Sequence, residues 1–124
     1  MQTLIYIALG GALGAVFRYA VTNGVHALVG RGFPYGTLTV NVLGSLIMGV
    51  TYIIFIERVS NNLPLRVMII TGFLGAFTTF STFSIETFNL LENGEAAKAL
   101  MNVLISVVLC LLAAWAGVII GREL

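Results

Sequence analysis

Four apolar runs, each long enough to cross a lipid bilayer, fill almost all of this 124-residue chain. A helical span needs about 20 mostly apolar residues. The runs extend from about Thr3 to Leu28, Gly36 to Ile56, Leu65 to Leu91 and Ala97 to Gly121. Charged residues make up 9% of the chain and hydrophobic ones 59%, whereas a soluble domain carries about 25% charged residues. Such a chain lacks the polar groups to cover a water-facing surface. It reads as an all-α integral membrane protein, one four-helix unit over residues 1–124. The connections Gly30–Tyr35, Glu57–Pro64 and Glu92–Glu95 hold the Gly, Pro and Asn of turns. Met1 runs almost directly into the first span with no basic n-region, so that run is expected to be a retained helix and not a signal peptide. A net charge of +1 with no basic cluster argues against nucleic-acid binding. The one cysteine, Cys110, has no partner for an intrachain disulfide. No cluster of metal-ligating residues and no nucleophile–base set stands out, so no enzyme is expected.

The third run departs from what lipid alone requires. Its centre reads Thr71-Gly72-Phe73-Leu74-Gly75-Ala76-Phe77-Thr78-Thr79-Phe80-Ser81-Thr82-Phe83-Ser84-Ile85-Glu86. It is too long for one straight helix across the hydrocarbon. Its glycines and hydroxyls predict a break near Gly75–Thr79, unless the glycines serve only close helix packing. Non-helical backbone at membrane depth is tolerated only where protein buries it or it lines a polar cavity. Phe77, Phe80 and Phe83 recur every three residues, close to one helical face, with Thr78, Thr79, Ser81, Thr82 and Ser84 around them. Ring edges are electropositive and hydroxyls donate, so together they suit a small anion bound loosely enough to leave, while ring faces and hydroxyl oxygens suit a cation as well.

Polar residues on the other spans have two readings each. Asn41 is either a donor in a pore or a helix–helix hydrogen bond, the latter worth about 0.6–2 kcal/mol. Asn102, Ser106 and Cys110 share a helix face at i, i+4 and i+8, either a polar track or a packed seam. Arg18 sits deep in the first span, where an unpaired charge is costly; it must pair or reach an interface. Glu86 is either a proton carrier or a hydrogen-bonded residue near the wet end of its helix, and His26 is expected at the interface. Arg58, Arg66 and Arg122 lie on the side of the termini, Arg31 and Lys98 on the other. This bias is too small to fix an orientation; it fits either noise in a small protein or a chain that inserts both ways round. Four short helices do not enclose a pathway readily, so an oligomer is expected.

The motifs resemble those of the Fluc/CrcB family of fluoride channels. Gly10-Gly11-Ala12-Leu13-Gly14-Ala15-Val16-Phe17-Arg18-Tyr19 is similar to the family's first-helix signature. Gly36-Thr37-Leu38-Thr39-Val40-Asn41-Val42-Leu43-Gly44-Ser45 resembles the second, and Thr71 to Ser84 the third, the most specific of them. The resemblance covers the whole chain in length and span count. It departs from the pattern at Leu74-Gly75-Ala76, where relatives often carry a small or polar residue before the glycine and a second glycine after it.

The resemblance implies a passive fluoride-selective channel in the plasma membrane of a microbe, exporting fluoride from the cytoplasm. It implies a dual-topology antiparallel homodimer with two pores. A structural Na+ at the dimer interface would be held by backbone carbonyls, which fall here on Gly75 and Thr78, with Gly75 permitting the break. The pore residues it implies are Asn41, Phe80, Phe83, Ser81, Thr82 and Ser84, with Asn102 and Ser106 from the fourth span. Arg18 and Glu86 fall at its vestibule or gating positions. The alternative is a small proton-coupled transporter that uses Glu86.

Overall fold

The computed structural model describes residues 1–124, and every long element is helical. Helix α1 is Gln2–Val29; α2 is Tyr35–Ile53 and runs on as a π-helical turn, Ile54–Arg58. Next come α3 (Leu63–Arg66), a π-helical segment Val67–Leu74, α4 (Gly75–Phe77), α5 (Phe80–Glu92) and α6 (Ala96–Glu123). They group into four helices long and apolar enough to cross a membrane: Gln2–Val29, Tyr35–Arg58, Leu63–Glu92 and Ala96–Glu123. These match the expected spans to within a few residues. The chain is a multi-pass membrane protein.

Local signals explain the boundaries. Gly30 takes φ 84° just past α1, a left-handed conformation that an L side chain resists. Asn62 accepts a hydrogen bond from the Leu65 N–H and caps α3, with Pro64 in the first turn where its missing donor is harmless. In the third span the π-helical turns end at Gly75, whose N–H reaches the Ile70 carbonyl. Two residues midway along the span then leave helical geometry: Thr78 at φ −88°, ψ 158° and Thr79 at φ −151°, ψ 119°. Both are extended conformations open to any residue.

The extended stretch therefore needs no glycine. Gly75 itself is helical, at φ −62°, ψ −35°, and a Cβ added there would meet nothing closer than the Ile70 carbonyl oxygen at 3.7 Å. The expectation that Gly75 permits the break through its backbone freedom is corrected: the non-helical residues are threonines. The same two residues divide the phenylalanine series. Phe77 lies before them, buried, with its ring stacked on Phe73 at 5.9 Å between centroids. Phe80 and Phe83 lie after them and tilt against each other at 5.4 Å. The period of three read across the change in backbone geometry, so it placed Phe77 on a face it does not share.

Close approach of backbones joins the spans. A Cβ on Gly10 or Gly14 would strike the Met68 or Phe73 carbonyl of the π-helical segment. On the other side of the molecule Gly49 and Gly117 put α2 and α6 backbone to backbone, so a Cβ on Gly117 would strike the Leu46 carbonyl. Helices in lipid gain little from hydrophobicity and associate through such close packing. Gly117→Ala is expected to lower the thermal stability of the detergent-solubilised protein by about 1–3 kcal/mol through overpacking. Gly24→Ala, where a Cβ meets nothing within 4 Å, is expected to hold or raise it. Thermal melts followed by size-exclusion chromatography check the pair; equal effects would show that α2 and α6 are not held by this contact.

Candidate ion pathway

The extended residues expose peptide groups that an unbroken helix would have paired. In such a helix the Thr79 N–H would bond the Gly75 carbonyl. Here it donates to Asn41 Oδ1 at 2.8 Å, while Asn41 Nδ2 donates to the Thr79 carbonyl at 3.0 Å. One carboxamide thus satisfies both polar groups of one peptide residue, which also fixes which atom of the amide is oxygen. Of the two readings of Asn41, the helix–helix hydrogen bond is made, and its second N–H remains as a further donor. Gly44, one turn along α2, lets the threonine stretch approach: a Cβ there would strike Thr78 Cγ2 and the Phe77 ring.

Around this pair lie two cavities. The first, of 390 Å³, is lined by Asn41, Thr78, Thr79, Phe80, Phe83 and, from α6, Ser106 and Cys110. Phe83 is 9% exposed, but Phe80 is 76% exposed, so a single chain leaves this cavity without a wall on the Phe80 side. The second, of 240 Å³, is lined by Arg18, Thr22 and Asn23 of α1, Thr37 of α2, and Thr79 and Thr82. Thr79 belongs to both. Arg18 Nε donates to the Ala76 carbonyl at 2.9 Å, a carbonyl of the last helical turn before the extended residues. The guanidinium therefore acts as a C-terminal cap, which suits its positive charge.

The hydroxyls divide between these places. Thr79 Oγ1 accepts from the Thr82 N–H at 3.2 Å and caps α5, and it lies 3.3 Å from Ser81 Oγ. Thr82 faces the Arg18 cavity. Ser81 is exposed, and Ser84 bonds back to the Phe80 carbonyl within its own helix. Neither Ser81 nor Ser84 lines the phenylalanine cavity. Glu86 lines a third cavity, of 330 Å³, with His26, Arg31 and Lys98. The carbonyl of Thr78 receives no hydrogen bond, and that of Gly75 loses the Thr79 donor to Asn41.

On α6, Asn102 is 2% exposed and outside the phenylalanine cavity, whereas Ser106 and Cys110 line it. Ser106 Oγ donates to Asn102 Oδ1 at 3.3 Å, Asn102 Nδ2 donates to Thr87 Oγ1 at 2.8 Å, and Thr87 Oγ1 donates to the Phe83 carbonyl at 2.8 Å. This relay fixes α6 to α5 behind Phe83. Sequence reasoning missed Thr87, although it stands four residues after Phe83, the spacing at which a helical threonine bonds back. It also missed Thr22, four residues after Arg18 and on the same helix face.

Asn41→Ala strips the half-buried Thr79 N–H and carbonyl of their partner, where full burial would cost about 1–3 kcal/mol for each group left unpaired. It is expected to lower the melting temperature and to speed hydrogen exchange at the Thr79 amide, whereas exchange at the Leu74 amide holds. Asn102→Ala and Thr87→Val are expected to be non-additive in a double-mutant thermal-stability cycle by at least about 0.5 kcal/mol. Additivity would mean that the relay is not a unit.

Residues 5–118 match the family described as CrcB-like protein, Camphor Resistance (CrcB). A protein of Magnetococcus marinus is 52% identical over 119 residues, 96% of this chain and 97% of its own length. A protein of Coxiella burnetii is 52% identical over 124 residues, 99% of this chain and all of its own. One of Geobacter sulfurreducens is 50% identical over the full length of both. Each of these relatives is named a fluoride-specific ion channel, and none an enzyme. With the match running from the first span to the fourth and half of the residues identical end to end, the chain belongs to the CrcB family.

Proposed function

We propose that this protein is a passive fluoride channel whose ion path passes beside the Asn41–Thr79 pair. The observation that carries the reading is non-helical backbone midway along a membrane span, satisfied by Asn41 and bordered by two cavities. The names of its relatives supply the ion. Fluoride is small and strongly hydrated, so a pore must replace its water with donors. The second N–H of Asn41 borders the phenylalanine cavity, and the ring edges of Phe80 and Phe83 add weaker attraction. Helix α5 starts beside them, with the positive end of its dipole toward the cavity. None of these groups is a full cation, which keeps binding weak enough for release. Thr82, Thr37 and Arg18 form the neighbouring polar wall, and Arg18 draws anions to it.

The open wall at Phe80 is closed, in this reading, by a second copy in an antiparallel dual-topology homodimer with two pores. A structural Na+ suits the free carbonyl oxygens here: the Thr78 carbonyl accepts no bond, and the Gly75 carbonyl lacks its helical donor at an exposed residue. Two chains would offer four such oxygens, the ligand type of a hard cation. The ion, when bound, neutralises carbonyl dipoles at the contact between chains. Placed in the plasma membrane of a microbe, the channel lets the potential drive the anion outward, at about 2.3 kcal/mol per charge for 100 mV.

Liposomes loaded with potassium fluoride test this. Valinomycin is expected to release fluoride at least about tenfold faster than chloride, and comparable chloride release would end the claim of selectivity. Phe83→Ile is expected to cut fluoride release by about tenfold or more with little change in melting temperature; unchanged release would remove the ring from the path. A second reading, proton-coupled transport, rests on Glu86 Oε1, which is buried without a hydrogen-bond partner. Fluoride release by Glu86→Gln with no proton gradient would exclude it.

A further inference from the structure

The third cavity holds two orphaned polar atoms that the proposed pathway does not use. His26 Nδ1 and Glu86 Oε1 are both buried and without hydrogen-bond partners, and both side chains line the same 330 Å³ space. The other imidazole nitrogen is engaged: His26 Nε2 accepts the Gly36 N–H at 3.2 Å. An imidazole nitrogen that accepts carries no proton, so the proton of the neutral ring is on Nδ1. The cavity therefore contains one unpaired donor on α1 and one unpaired acceptor on α5.

The Gly36 contact is a built one. Gly36 is in the first turn of α2, where backbone N–H groups have no intrahelical partner. His26 supplies the missing acceptor. The approach depends on the absence of a side chain, because a Cβ on Gly36 would lie 2.9 Å from Nε2 and 2.7 Å from Thr22 Cγ2. The imidazole is thus a cross-link between the end of the first span and the start of the second.

We propose that His26 is an acid-operated latch on this mouth of the protein: a proton taken at Nε2 releases the Gly36 N–H and turns a charge-balanced cavity cationic. Protonation makes Nε2 a donor, and a donor facing the Gly36 donor cannot hold it. The imidazolium then has the unpartnered Glu86 carboxylate within the same cavity as its acceptor. The charged groups facing the ring are Arg31 from the α1–α2 connection, Glu86 from α5, and Glu95 and Lys98 at the start of α6; α2 carries no charged side chain. Lys98 is held by Glu95 at 2.7 Å and by the Gly32 carbonyl at 3.1 Å, whereas Arg31 makes no ion pair. With a neutral ring two cations face two carboxylates. A second proton on His26 leaves one positive charge in excess, and a cavity of one sign concentrates the opposite ion.

The consequence for flux rests on the fluoride-channel reading; the latch itself does not. Two measurements on the full-length protein in lipid separate them. In the first, nuclear magnetic resonance follows the His26 ring nitrogens and Gly36 amide exchange from about pH 8 to about pH 5.5, the range in which histidine titrates. Gly36 exchange, corrected for its intrinsic pH dependence, is expected to lose at least about tenfold of its protection as the ring protonates. It is expected to stay constant in His26→Gln, whose amide oxygen keeps the acceptor without titrating. A ring that protonates while Gly36 stays protected overturns the latch, as does a ring that stays neutral throughout. In the second, fluoride current across a planar bilayer at fixed fluoride is expected to rise about twofold or more over the same range and to stay flat in His26→Gln. His26→Asn, which also cannot titrate, repeats the test if the glutamine variant folds poorly. A rise that survives in either variant overturns the electrostatic part. Absence of fluoride current at every pH refutes the channel reading and leaves the resonance experiment to decide the latch.

Discussion

The pairing of the Asn41 carboxamide with both polar groups of the Thr79 peptide is the interaction on which the rest of the pathway depends. A membrane offers no water to backbone groups, so an interrupted helix is stable only if something else satisfies it. Asn41 does this from the neighbouring span, and Arg18 does the same for the Ala76 carbonyl from a third. The interruption is thus held by side chains from α1 and α2. Its two flanking helices can then point different residues in different directions: Phe77 inward against Phe73, Phe83 into the cavity shared with α6, and Phe80 onto its open side.

Thr79 is where these functions meet. Its peptide is tied to Asn41, its hydroxyl caps α5, and it borders both central cavities. From it two polar lanes diverge. Along α5, Thr82 and Glu86 lead to the third cavity; along α1, Arg18, Thr22 and His26 follow at the same four-residue interval. On the far side, Ser106 and Cys110 of α6 face the phenylalanine rings. The relay from Ser106 through Asn102 and Thr87 to the Phe83 carbonyl keeps that wall in register with α5. Buried polar side chains here do double duty, satisfying one another while setting where the aromatic rings stand.

Glycine performs a different task from the one its sequence position suggests. At Gly44 and Gly36 the missing Cβ lets a threonine stretch and an imidazole touch α2. At Gly75, in the middle of the most distinctive motif, the backbone is ordinary helix and the space beside it is open. The residues that leave the helix are Thr78 and Thr79, and β-branched residues sit comfortably in extended geometry. What makes the interruption possible is the partner on α2.

The membrane class, the four spans and their turns were legible in the order of residues alone, because hydrophobic length and turn residues are local properties that lipid enforces directly. So was the polar stretch of the third span, since hydroxyls and glycines in an apolar run stand out in one dimension. The family was legible in the order of three motifs. Tertiary structure alone decided which hydroxyls share a cavity with the phenylalanines, that Phe77 leaves their face, that Asn102 is tied to Thr87, and that Asn41 meets Thr79. Each of these depends on a contact between residues far apart in the chain, and on the turn of the backbone at two threonines. Helical periodicity fails there because it assumes the helix continues.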